Sequence, residues 1–133
     1  MAPKPALIVD DAVDIRLTLS LVFEALGIQT LEAGNGLEAL ELLRSGTQPG
    51  LILLDWMMPV LDGRAFLEQW STGSECDKPP VYVLSALDRQ PDLNGVSVCG
   101  WLKKPVSYLE IMTLARRHLL TNSRDRGGPD SSI

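Results

Sequence analysis

Cysteine is scarce in this 133-residue chain: Cys76 and Cys99 are the whole supply. Two thiols without metal-ligand spacing exclude a disulfide-dense secreted scaffold and a cysteine metal site, and they read as reduced and unpaired. Long apolar runs are missing too. Nothing approaches the roughly 20 residues that cross a bilayer, and MAPKPALIVDD has no apolar signal-peptide core ahead of its first acids. The expected compartment is the cytoplasm, with no membrane partner. Positive charge is sparse and scattered: 12 Lys and Arg stand against 17 Asp and Glu, for a net charge of −5. Phosphate-backbone binding needs a basic stripe, so a direct nucleic-acid partner is not expected. The one histidine, His118, reads as a solvated or dipole-compensating residue near a helix end.

What is present is an alternation of short apolar runs with longer amphipathic ones. ALIV at 6–9, residues 28–33, LILL at 51–54, VYVL at 81–84 and the stretch around Trp101 and Leu102 read as strands. Between them, Ile15, Leu19, Val22 and Leu26 share a helical face, as do Leu37, Leu40 and Leu43, then Phe66, Leu67 and Trp70. Met112, Ala115 and Leu119 mark a last helix over about 107–120. Strand-helix repetition predicts an α/β fold, a doubly wound five-stranded parallel sheet with helices on both faces. One unit breaks the pattern. LDRQPDLNGVSVCG carries Pro91 and two glycines and no apolar stripe, so a fourth helix there should be short, irregular or absent. Residues 1–121 make one domain, and the polar, Gly/Pro/Ser-rich stretch at 122–133 reads as a disordered tail or linker stub.

The run LILLDWMMP at 51–59 ends a greasy strand on a carboxylate, Asp55. In an open parallel sheet ligands bind outside the carboxyl ends of the strands. The first strand ends in Asp10-Asp11, the third in Asp55, the fourth in Ser85-Ala86 and the fifth in Lys103-Lys104-Pro105. Each could be ordinary alone, Asp10 or Asp11 as a helix cap and Ser85 or Lys104 as solvated loop residues. Together they converge three carboxylates, a hydroxyl and an ammonium on one rim. Three such carboxylates repel unless a cation joins them, and oxygen ligands suit magnesium. A cation and Lys104 would neutralise a phosphoryl group between them, with Asp55 as the carboxylate nucleophile.

The combination of Asp10-Asp11, DWMMPVLDG from Asp55, Ser85-Ala86 and Lys104-Pro105 resembles the receiver domain of two-component response regulators, over about residues 5–121. The resemblance implies a flavodoxin-like, CheY-like strand order of 2-1-3-4-5 and no enzyme activity beyond self-catalysed phosphotransfer and dephosphorylation. Asp55 would be the phosphoacceptor in a phosphorelay. Asp11 and Asp55 would ligate Mg2+ (or Mn2+) directly, Asp10 through water, and Met57 through its backbone carbonyl. Ser85 and Lys104 would each hold a phosphoryl oxygen, Lys104 ahead of a peptide bond to Pro105 that is cis in the family. Trp101 occupies the place of the switch aromatic that works with Ser85, or it covers apolar surface at a sheet edge. Met57 and Leu87 match two positions that govern water access, and their apolar character predicts slow loss of phosphate.

The implied partners are a sensor histidine kinase or histidine phosphotransfer protein, and a downstream protein target. A homodimer would form through the face of the fourth helix, fifth strand and fifth helix. The shortened segment before Lys104 puts that face in question, while leaving the chemistry intact. The chain reads as a stand-alone receiver or as the first piece of a longer regulator. Two other classes compete. A phosphorylation-independent interaction module need not retain the full set of rim residues; an aspartyl-phosphate hydrolase resembling haloacid dehalogenases needs an acid two residues after Asp55, where Met57 cannot move a proton.

Overall fold

The computed structural model describes residues 3–70, 78–87 and 91–120; Cys76 and the stretch at 121–133 lie outside them. The aliphatic runs form strands β1 (Ala6–Val9), β2 (Thr30–Ala33), β3 (Leu51–Asp55), β4 (Val81–Ser85) and β5 (Gly100–Lys103). Helices α1 (Val13–Ala25), α2 (Gly36–Arg44) and α3 (Gly63–Trp70) alternate with them, and α4 (Tyr108–Ala115) follows β5 and runs into a π-helical turn, Arg116–Leu120. All pairings are parallel, as the sequence pattern predicts, in the order β2-β1-β3-β4-β5 that the resemblance implies.

Strand residues alternate between two cores. Ala6, Ile8, Leu51, Leu53, Tyr82 and Leu84 pack with α1 and α4, while Leu7, Val9, Ile52, Leu54 and Val81 pack with α2 and α3. Helices on both faces leave the central strands no polar side, which is why LILL is an unbroken run. Helices α2, α3 and α4 start where side chains satisfy their free N–H groups. Asn35 accepts from Glu38 N, Asp62 Oδ1 from Ala65 N, and Ser107 forms a capping box with Glu110.

Three helical faces are rotated from expectation. In α1 the centre of the buried face is Phe23, with Leu19; Ile15, Val22 and Leu26 sit at its margin. In α2 Leu37 is 44% exposed, and Gly36, Ala39 and Leu40 turn inward instead. Gly36 N–H donates to Leu61 O at 2.9 Å, and a Cβ there would meet that oxygen at 2.6 Å, so close approach of the chain at Gly36 sets the helix phase. In α4 the inward positions are Ile111, Leu114 and Ala115, with Met112 half-buried, and the wider π turn keeps Leu119 on the core side.

No helix occurs among the described residues between β4 and β5, where the sequence predicts a weakened one. Residues 91–99 cross as turns, with Val96 and Val98 folded onto the α2/α3 core. Arg64 of α3 holds this segment: its guanidinium donates to the carbonyls of Asp92 and Asn94 and lies 5.5 Å over the Trp56 ring.

Val60, between β3 and α3, has φ of 71° and is 74% exposed. A β-branched residue in the left-handed region carries strain of roughly 1–2 kcal/mol, and this side chain offsets little of it by burial. Val60→Asn should raise the free energy of unfolding by about 0.5–1 kcal/mol, since Asn tolerates this conformation. Urea unfolding reads the change directly; an unchanged or lowered midpoint would show the strain to be absorbed elsewhere.

Candidate functional site

The carboxyl ends of β1, β3, β4 and β5 bring the predicted rim residues together. Asp10 and Asp55 are buried and Asp11 is exposed, and one carboxylate oxygen from each lies within 4.8 Å of the other two. Lys104 reaches in from beyond β5, its Nζ 2.9 Å from Asp10 Oδ2 and 3.2 Å from Asp55 Oδ1. Its backbone N–H donates to Ser85 O at 2.8 Å, and the Lys104-Pro105 peptide is cis, as the resemblance implies. Ser85 is buried; its Oγ accepts from Leu87 N at 3.1 Å, closing a tight turn at the end of β4.

The bland reading of Asp10 as a helix cap fails on geometry. Its Oδ1 accepts from Ala12 N at 2.9 Å, but α1 starts after Ala12 without a side-chain cap, and Oδ2 faces the site. Asp55 is fixed from both sides of its strand end. Trp56 N donates to Leu84 O, Gly63 N donates to Trp56 O, and a Cβ on Gly63 would meet Asp55 O at 2.8 Å. Glycine is required there for α3 to start against the end of β3.

Burial and the nearby Asp10 charge push the Asp55 carboxyl up to about 6, against the opposing pull of Lys104. Burial also works against the Lys104 ammonium, but its close contact with Asp10 and the charges of Asp55 and Asp10 outweigh it and raise its pKa. The site therefore holds a firm cation beside acids in excess of it. Asp10 Oδ2 is fully buried and, the ion-pair distance to Lys104 notwithstanding, no donor among the described residues meets it in hydrogen-bonding geometry. An unsatisfied buried oxygen, two further carboxylates and a rigid strand-end frame fit a small hard cation.

The remaining expectations divide. Met57 and Leu87 are 71% and 45% exposed, apolar side chains left in solvent around the site. Trp101 pairs with Val83 of β4 on the edge strand and is half-buried. His118 is not a solvated end residue: its Nε2 lies 2.9 Å from Tyr82 Oη, and burial, then Arg117, lowers its pKa. Cys99 is exposed and in no disulfide. Among the described residues no helix is long and apolar enough to cross a membrane. Arg16 was missed in the sequence. Its guanidinium binds the Asp10 carbonyl oxygen, and only the six-residue spacing from Asp10 hinted at it.

An open parallel sheet with acids and a lysine gathered at its carboxyl rim defines a doubly wound α/β domain with a charged strand-end site. The sequence model of the response regulator receiver domain matches residues 6–116. This chain belongs to that family of two-component signalling domains. It is 32% identical over 122 residues to sporulation initiation phosphotransferase F of Bacillus subtilis, covering 90% of this chain and 96% of that one. It is also 32% identical over 117 residues to sensor histidine kinase CheAY of Helicobacter pylori, spanning 85% of this chain but 15% of that protein. The crystallised chemotaxis protein CheY4 of Vibrio cholerae superposes with a TM-score of 0.78 at 27% identity, over 89% of this chain and all of that one.

Proposed function

We propose that this receiver domain accepts a phosphoryl group on Asp55 from a phosphohistidine donor in a magnesium-dependent phosphorelay. The observation that carries the reading is the rim itself: three carboxylates within 4.8 Å, with the Lys104 ammonium 2.9 Å from one and 3.2 Å from another. A carboxylate oxygen of Asp55 attacks phosphorus, the P–N bond to the donor imidazole breaks, and the ring leaves with its electron pair and takes up a proton. Asp10, Asp11, Asp55 and the Met57 carbonyl would hold Mg2+ (or Mn2+). When bound, the cation neutralises charge on the transferring group. Lys104 pairs with a second phosphoryl oxygen and Ser85 donates its hydroxyl proton to a third, while its Oγ can keep accepting from Leu87 N–H. Ser85 and Trp101 form the switch pair of this reading. The donor is a sensor histidine kinase or histidine phosphotransfer protein, and the product signals to a downstream protein.

Incubation with magnesium and a small phosphodonor, followed by intact mass, tests this. One phosphoryl group should be gained by the parent chain and none by Asp55→Asn. A parent chain that gains nothing sinks the reading, and equal gain by Asp55→Asn removes Asp55 as acceptor. Exposed Met57 and Leu87 offer an attacking water no base, so the modification should persist well beyond seconds in the same sample.

A further inference from the structure

The acidic pair needs an anchor of its own. Asp10 and Asp11 follow β1 in a short turn, and α1 begins without a side-chain cap, so no regular element fixes the carbonyl of Asp10. Arg16, one turn into α1, takes that role: its Nη1 donates to Asp10 O at 2.6 Å. The guanidinium is itself held, because Nε lies 3.1 Å from Glu32 Oε1 on β2, and Glu32 Oε2 accepts from Ser20 Oγ, which accepts from Thr30. Gly34 lines the slot: a Cβ there would stand in ordinary contact with Nη1 at 3.5 Å and closer, at 3.3 Å, to Glu38 Oε1. Glu38 in turn accepts from Gly34 N. The guanidinium is thus largely enclosed, at 16% side-chain exposure, in a slot made by α1, β2 and the start of α2.

We propose that Arg16 is the positioning residue for the cation-binding acids: gripped by Glu32, it fixes the Asp10 carbonyl and with it the direction of the Asp10 and Asp11 carboxylates. This rests on the magnesium reading above. The planar fork of arginine, bonded at once to a carboxylate and a carbonyl, fixes an orientation that the single ammonium of lysine cannot. Residues that orient metal ligands from behind commonly change metal affinity 10- to 100-fold when replaced.

Magnesium chloride titrations followed by tryptophan fluorescence report on Trp56, which adjoins Asp55. They should be run on the parent, Arg16→Gln and Arg16→Lys at a temperature where urea unfolding without magnesium shows each to be folded. Arg16→Gln should raise the magnesium dissociation constant about tenfold, and Arg16→Lys by less. If Arg16 were merely structural, the urea midpoint would fall while the dissociation constant of the folded protein stayed at the parent value, and the proposal would be overturned. Should Arg16→Gln not fold, Arg16→Lys, which keeps charge and stem, decides on the same criterion. A parent chain that itself binds no magnesium overturns the magnesium reading and this proposal together, an outcome distinct from parent-like affinity in the variants.

Discussion

Lys104→Ala is expected to lose about 3 kcal/mol of stability at pH 7 without magnesium, far more than an exposed lysine would. Its Nζ lies between Asp10 and Asp55, both buried, and its own side chain is 18% exposed. Removing it strands two carboxylates in a site that already penalises their charge, and breaking a buried pair in this way commonly costs 3–5 kcal/mol. The pKa of Lys104 is raised from 10.5, so on the alkaline side its contribution holds up to that pH and fades as the ammonium is titrated above it. Magnesium, or acidification below pH 6 where Asp55 protonates, should recover part of the loss. Urea unfolding at pH 7 and 5, with and without magnesium, measures each term. A loss under 0.5 kcal/mol would show the pair to be solvent-screened. Phosphoryl gain should fall roughly 10²-fold, the usual cost of one missing partner for a developing charge.

Asp55→Asn should act in the opposite direction on stability. With the folded carboxyl at about 6 against an ordinary 3.8, the folded chain holds more protons between those values, so stability falls as pH rises from about 4 to 7. At 1.36 kcal/mol for each unit, ionising Asp55 costs the folded state on the order of 2–3 kcal/mol at pH 7. A neutral amide of the same shape escapes that cost while giving up its pairing with Lys104. The variant is therefore expected to be more stable than the parent by about 2 kcal/mol at pH 7 without magnesium, with the gap closing near pH 4. Saturating magnesium should reverse the order, since the cation stabilises only the chain that binds it well. If the variant is the less stable at pH 7 without magnesium, Lys104 outweighs burial and Asp10. The same titration predicts that phosphoryl acceptance, which needs the ionised nucleophile, rises through pH 6 when magnesium is limiting.

The three central strands and their burial were legible because a strand covered on both faces must be apolar throughout, and ALIV, LILL and VYVL say so locally, whereas the edge strands β2 and β5 are only partly buried. That the described residues between β4 and β5 form no helix was legible through Pro91 and the lack of a stripe. Helix phase was less so. A stripe of leucines allowed Leu37 inward, but the approach of Gly36 to Leu61 O turned it out, and that contact joins segments remote in sequence. His118 looked like a terminal charge until β4 placed Tyr82 beside its ring.

By itself the sequence determined the sheet, the list of chemically capable residues at its rim and the family they resemble, since each is written in the order of residues along single elements. Only the tertiary structure decided which of them share a charge balance. Lys104 pairs with both Asp10 and Asp55, burial and then the Asp10 charge raise Asp55, and Arg16 and Glu32 meet behind the acidic turn. Those outcomes depend on distances of about 3 Å between side chains brought together by crossovers. At that range the strength of a coulombic or hydrogen-bonding interaction depends steeply on distance and geometry, which no one-dimensional pattern specifies.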